Sequence, residues 1–180
     1  MIESERAFVV PYLEQTRDRV LSLARSVTPE QRSLRRSDDE WCASDLIEHI
    51  VIVEQWSLAN IERALQAGHT DESRRGKGAH KDAIILHVLP ARNTKVQAPA
   101  AFEPKNRWPD WDDLLGQFSE IRARVIDLAQ TTQADLRIHF LPHPFLKDLD
   151  CYQWLVLIAS HAERHVRQAE EALAQRASAG

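Results

Sequence analysis

An all-α fold, a four-helix bundle with a long and partly irregular connection between its second and third helices, is what this 180-residue sequence predicts. Three observations carry that expectation. Four segments, each of about 20 to 25 residues, repeat apolar positions at spacings of three and four, as a helix with one buried face does. Almost nothing alternates polar with apolar residues in the way of a half-buried strand. Helix-start signals stand at Asp110 and Asp150, where two of the segments begin, and at Thr28, ahead of a short connecting turn.

The first long helix is expected from about Ser4 to Val27, with Phe8, Tyr12, Thr16, Val20 and Leu23 on one face. Pro11 either kinks it or marks its true first turn, because proline lacks the N–H an interior position donates. Thr28-Pro29-Glu30-Gln31 combines an N-cap, a proline at the first helical position and a glutamine three residues on, so a short connecting turn of helix follows. Residues 35–40 read as a solvated loop. The second long helix starts near Cys42 to Ser44 and ends at Ala67-Gly68, where glycine suits a C-cap. Leu46, His49, Ile50, Val53, Trp56, Asn60 and Ile61 share its inward face.

Residues 69–110 are the least regular, and a loop that long inside a compact domain is usually functional, here as cover for a pocket. Lys81 to Leu89 reads as a short helix ended by Pro90, and Pro99, Pro104 and Pro109 give an extended path beyond it. Arg74-Arg75-Gly76-Lys77-Gly78 reads as a solvated turn rather than a phosphate cradle, since no strand precedes it. The third long helix opens at Asp110 and turns Trp111, Leu114, Leu115, Phe118, Ile121, Val125 and Leu128 inward. The fourth opens at Asp150, with Gln153 in the capping-box place, and runs to Ala174 or Arg176. One domain over residues 1–176 is expected, with residues 177–180 as a frayed tail.

Composition narrows the class of function. With 43% hydrophobic and 28% charged residues the chain is ordinary for a globular protein. A net charge of −4, with no basic face to gather the 23 Lys and Arg, gives no reason to expect nucleic acid. No apolar run approaches the roughly 20 residues of a membrane span, and no basic segment with an apolar stretch opens the sequence. Cys42 and Cys151 are too few and too far apart for a disulfide framework, which fits a reducing compartment. The expectation is a soluble cytoplasmic protein with a small-molecule partner.

The chemistry concentrates at His161 and His165, four residues apart and therefore one turn apart on a single helix face. Trp154, Ile158, Ala169 and Ala172 share that stripe, so the imidazoles interrupt a buried seam. A buried neutral imidazole needs partners for its N–H and its lone pair, and one cation answers both lone pairs. A third ligand must come from elsewhere, and His49, on the inward face of the second helix, is the candidate. If the second and fourth helices run parallel, counting from their caps leaves His49 and His161 about 6 Å apart in height. The zincin pattern does not apply, because Glu163 follows the first histidine by two residues and lies about 200° around the helix. Arg164 breaks the inverzincin pattern in the same way.

Trp41 leading to His49, then His143-Pro144-Phe145, Gln153-Trp154-Leu155 and His161-Ala162-Glu163-Arg164-His165-Val166-Arg167-Gln168 together resemble the DinB/YfiT-like superfamily of four-helix metalloenzymes. The resemblance implies a divalent ion, zinc or nickel, on His49, His161 and His165. It also implies chemistry of two kinds: thiol-dependent transfer or isomerisation, in which the ion lowers the pKa of a low-molecular-weight thiol, or hydrolysis. Phe145-Leu146-Lys147-Asp148 departs from the pattern by lacking the glycine common just after His-Pro.

Two readings from other classes stand beside the enzyme: a stress-response or small-molecule-binding bundle with a structural ion, and a metal-free interaction domain, such as a homodimer formed through an exposed helix face. His143 reads as an exposed loop histidine, with lining the pocket as its functional alternative. His139 and His87 carry weaker signals still. Cys42 and Cys151 read as inert small hydrophobes, Trp41, Trp56, Trp111 and Trp154 as core, Glu54 as peripheral, and Arg164 and Arg167 as solvent-facing.

Overall fold

A computed structural model describes residues 1–35, 37, 40–92 and 97–177 of the chain. It is mostly helical. Helix α1 (Glu3–Ser26) buries Val9, Leu13, Thr16, Val20 and Leu23. That stripe is rotated from the expected one, for Phe8 is 43% exposed. Pro11 lies inside the helix and not in its first turn. The short helix α2 (Pro29–Arg32) has the expected box, in which the Thr28 side chain accepts from the Gln31 N–H and the Gln31 side chain accepts from the Thr28 N–H. The solvated loop expected at 35–40 lies partly outside the described residues, as do 178–180 of the expected frayed tail; Ala177 itself ends a helix.

Helix α3 (Ala43–Ala67) stops at Gly68, whose left-handed φ of +66° suits a residue without a Cβ. Its buried residues run unbroken from Asp45 to Glu54, so nearly the whole circumference of its first half is covered. Trp56 is the exception to the expected face, at 38% exposure. Helix α4 (His80–Ala83) continues into a π-helical turn, Ile84–Val88, close to the expected short helix. Helix α5 (Trp111–Thr131) is capped by Asp110, whose carboxylate accepts from the N–H groups of Asp112 and Asp113.

Two short strands, β1 (Phe140–His143) and β2 (Lys147–Asp150), pair antiparallel, with Leu141 opposite Leu149 and His143 opposite Lys147. The sequence reading had no strands here. Lys147 takes a left-handed φ of 58° at the turn, which is where glycine would sit without strain. Helix α6 (Cys151–Ala177) opens on a full box: the Gln153 N–H donates to Asp150 Oδ1 at 2.8 Å and the Asp150 N–H donates to Gln153 Oε1 at 3.1 Å.

The four long helices close a ring of contacts, α1 against α5 and α6, and α3 against α5 and α6. Side-chain pairs give their directions. Trp41 lies near His165 and Trp56 near Trp154, so α3 and α6 run antiparallel, and the parallel arrangement used for the height count is overturned. Tyr12 meets Ser160 and Arg19 meets Glu170, which makes α1 parallel to α6. Arg6 reaches the carbonyls of Ala129 and Gln130 while Arg122 reaches that of Leu13, which makes α1 antiparallel to α5.

It follows that α3 and α5 point the same way. A chain leaving the end of α3 must travel the length of the helices before it can begin α5, about 37 Å for a 25-residue helix. This is why the connection is long. It climbs along α6: Gln153 donates to the Gly78 carbonyl, Arg164 to that of Leu89, and Arg92 pairs with Glu171. It then crosses to α3, where Glu48 accepts from the N–H groups of Lys105 and Arg107. The core inside the ring is mostly apolar, and among its buried polar side chains Arg122 and Glu54 are fully buried and bonded to each other. Glu54 is therefore an interior residue between α3 and α5, not a peripheral one.

A candidate metal centre

Helix α6 places His161 and His165 one turn apart, and antiparallel α3 brings His49 against them. The Nε2 atom of His161 lies 3.2 Å from that of His49 and 3.1 Å from that of His165. Ligand nitrogens of all three rings fall within 4.8 Å of one another. Two imidazoles bound to zinc at tetrahedral angles hold their nitrogens about 3.3 Å apart, so these spacings suit a shared cation. The three histidines could hold a metal ion.

Second partners fix which nitrogen is free on two of the rings. His49 Nδ1 lies 2.7 Å from the Phe102 carbonyl oxygen, which can only accept, so Nδ1 carries the proton and Nε2 keeps its lone pair. His165 Nδ1 donates to Gln168 Oε1 at 3.0 Å, with the same result. Two lone pairs thus face the Nε2 of His161, which as a neutral ring has at most one proton to offer there. Nδ1 of His161 is buried without a partner among the described residues. A shared cation would answer the converging lone pairs that proton sharing leaves unmet.

Electrostatics keep the rings neutral. Burial lowers the pKa of His49, opposed in part by the Phe102 hydrogen bond. Burial holds His161 and His165 well below the usual histidine value, followed by repulsion from His165 and His49 on the first and from His49 on the second. Neutral imidazole is the form that ligates.

The surroundings support this geometry. The Trp41 ring packs 4.8 Å from that of His49 and 6.3 Å from that of His165. Glu163 is turned to Arg19 and Arg167, at 3.2 and 2.7 Å, and away from the histidines, as its angular position implied. Arg164 is not solvent-facing as expected: it is half-buried and donates to the Leu89 carbonyl at 2.8 Å. Arg167 is exposed.

His143 also departs from the exposed-loop reading. It is half-buried on β1, its ring 5.2 Å from that of Trp154, and burial followed by the Lys81 charge lowers its pKa to about 4. His87 is exposed on the π-turn and His139 is buried beneath the hairpin, and neither joins the cluster. Cys42 donates to Asp45 Oδ2 at 3.0 Å, and burial raises its thiol pKa. Burial pushes the Cys151 thiol up to about 12. Neither cysteine is activated.

Two supports of the site escaped the sequence reading. The Phe102 carbonyl belongs to the backbone and leaves no side-chain signature. Gln168 was legible, since three residues beyond His165 is the spacing of neighbours on a helix face.

The model of a family described as the DinB superfamily matches residues 12–169. An uncharacterized protein of Bacillus subtilis (strain 168), YuaE, is 20% identical over 147 residues, covering 82% of this chain and 86% of the relative. No solved structure matches.

Proposed function

The chain belongs to the DinB superfamily, and from that premise we propose that it is a metal-dependent enzyme: a four-helix bundle, one domain over residues 1–176, in which His49, His161 and His165 hold a divalent ion. The observation that carries this reading is the convergence of three Nε2 atoms, two of them committed to a lone pair by Phe102 and Gln168. Among the described residues no fourth His, Cys, Asp or Glu joins the cluster. Three protein ligands with a position left open is the arrangement of catalytic sites, whereas structural sites are closed.

Zinc or nickel suits an all-imidazole ligand set. Such an ion supplies Lewis acidity, which ionises a small thiol or water near neutral pH for group transfer or hydrolysis. The chain's own part is to hold the three rings in one tautomer, to keep them neutral, and to shield them with Trp41 and the segment around Phe102. A small molecule is the partner this reading calls for, a low-molecular-weight thiol among them. No described helix is long and apolar enough to cross a membrane, and a cytoplasmic location fits the two free cysteines.

The test is elemental mass spectrometry on protein free of any histidine tag, beside the His161→Ala variant. About one equivalent of zinc or nickel per chain is expected in the parent and none in the variant. A parent that neither contains metal nor takes it up, or a variant that retains it in full, overturns the assignment.

A further inference from the structure

Beside the histidine cluster stands a wall of aromatic rings. Trp154 lies on α6 seven residues before His161, on the same face of the helix. Its ring is 5.4 Å from that of Trp56 on α3, and Trp56 is 5.3 Å from Phe102, whose carbonyl holds His49. On its other side Trp154 meets His143 at 5.2 Å, and His143 meets Phe145 at 6.1 Å. The wall runs from the interior to the surface, for Trp154 is 2% exposed while Trp56 is 38% and Phe145 is 60% exposed. Packing accounts for the inner ring. It does not account for two large aromatic side chains left exposed at the rim.

Two N–H groups on this wall await an acceptor. The indole N–H of Trp154 is buried with no hydrogen-bond partner among the described residues, although a buried tryptophan usually finds one. On His143, Nδ1 accepts from the N–H groups of Phe145 and Leu146 at 3.2 and 3.0 Å. The neutral ring must then carry its proton on Nε2, where it can only donate. The rings meet at interplanar angles of 52° to 75°, and an aromatic surface of this kind with two donors fits an apolar ring that carries an oxygen acceptor.

We propose that this wall is the substrate subsite of the centre, taking the planar apolar body of a small molecule whose carboxylate or carbonyl oxygen is received by Trp154 Nε1–H and His143 Nε2–H. The proposal rests on the metal-centre reading above for its chemistry, and its binding is testable without that reading. Benzoate is the probe, with acetate as a control for charge without a ring. In ¹⁵N-labelled protein the Trp154 indole signal is identified by its loss in Trp154→Phe and followed through each titration. Titrations are run once with chelator and once with an equivalent of zinc.

Benzoate is expected to move the Trp154 signal saturably and acetate to leave it in place. His143→Leu should weaken benzoate binding about tenfold, the worth of one good hydrogen bond. His143→Gln, which keeps an N–H donor, should restore most of it. A Trp154 signal unmoved by benzoate, moved equally by acetate, or saturated at the same concentration in His143→Leu overturns the subsite. Protein that binds no zinc yet shows the benzoate response removes the metal reading alone. Protein that binds zinc while its Trp154 signal stays still removes the subsite alone.

Discussion

Replacing Glu54 by leucine tests the interior polar pair between α3 and α5. The two side chains are 1% and 0% exposed, with Arg122 Nε donating to Glu54 Oε2 at 3.0 Å and Nη2 donating to the other oxygen. The rest of the guanidinium is taken by the Leu13 carbonyl at 2.9 Å and the Thr16 hydroxyl at 2.8 Å. Glu54→Leu leaves those two neutral acceptors and removes the opposite charge paired with a cation that water cannot reach. Breaking a buried pair from one side costs about 3–5 kcal/mol. An unfolding entropy of about 2.1 cal/mol/K per residue, over 180 residues, turns that into a melting temperature lowered by about 8–13 °C. Thermal and guanidinium unfolding followed by circular dichroism measure it. In Glu54→Leu/Arg122→Met most of the loss should return, because two packed apolar side chains then stand where two charges stood. A Glu54→Leu protein within about 1 kcal/mol of the parent, or a double variant no better than the single one, refutes the reasoning.

Gln168→Leu removes the acceptor that holds the His165 ring in its ligating tautomer, and zinc affinity in a competition titration against a chelator should fall about 10–100-fold. An unchanged affinity would show that the ring needs no such hold. Cys42 and Cys151 are 5% and 0% exposed with raised thiol pKa values, so iodoacetamide should leave both unmodified in native protein and label both in denaturant. Full labelling of the folded protein, read by mass spectrometry, contradicts that.

The parts of the fold legible in the sequence were those that local chemistry specifies. Asp110, Asp150 with Gln153, and Thr28 with Gln31 announce helix starts because a cap joins residues two or three apart. His161 and His165 announce themselves because one face of one helix brings them together. The hairpin left no such trace, since strands of four residues that include Pro142, Lys147 and Asp148 offer no clean alternation. Glu54 lies five residues past His49, about 140° around the helix, and that angle alone does not reveal what it packs against. Both sides of α3 are covered, one by α6 and the other by α5. The direction of α3 relative to α6 was likewise invisible, because a helix pattern reads the same either way up.

The route of the chain between α3 and α5 bears on how the centre would let go of an ion. His161 and His165 belong to a single turn of α6, while His49 reaches His161 across a separation of 112 residues. One part of the ligand set is thus as durable as a helix and the other only as durable as the contact between two helices. An ion held there would be gripped on one side by a pair fixed within one helix and on the other by a single ring whose place depends on how two helices meet. What holds the His49 ring is the Phe102 carbonyl, at the far end of the long connection, so the grip on an ion would depend on a segment that supplies no ligand.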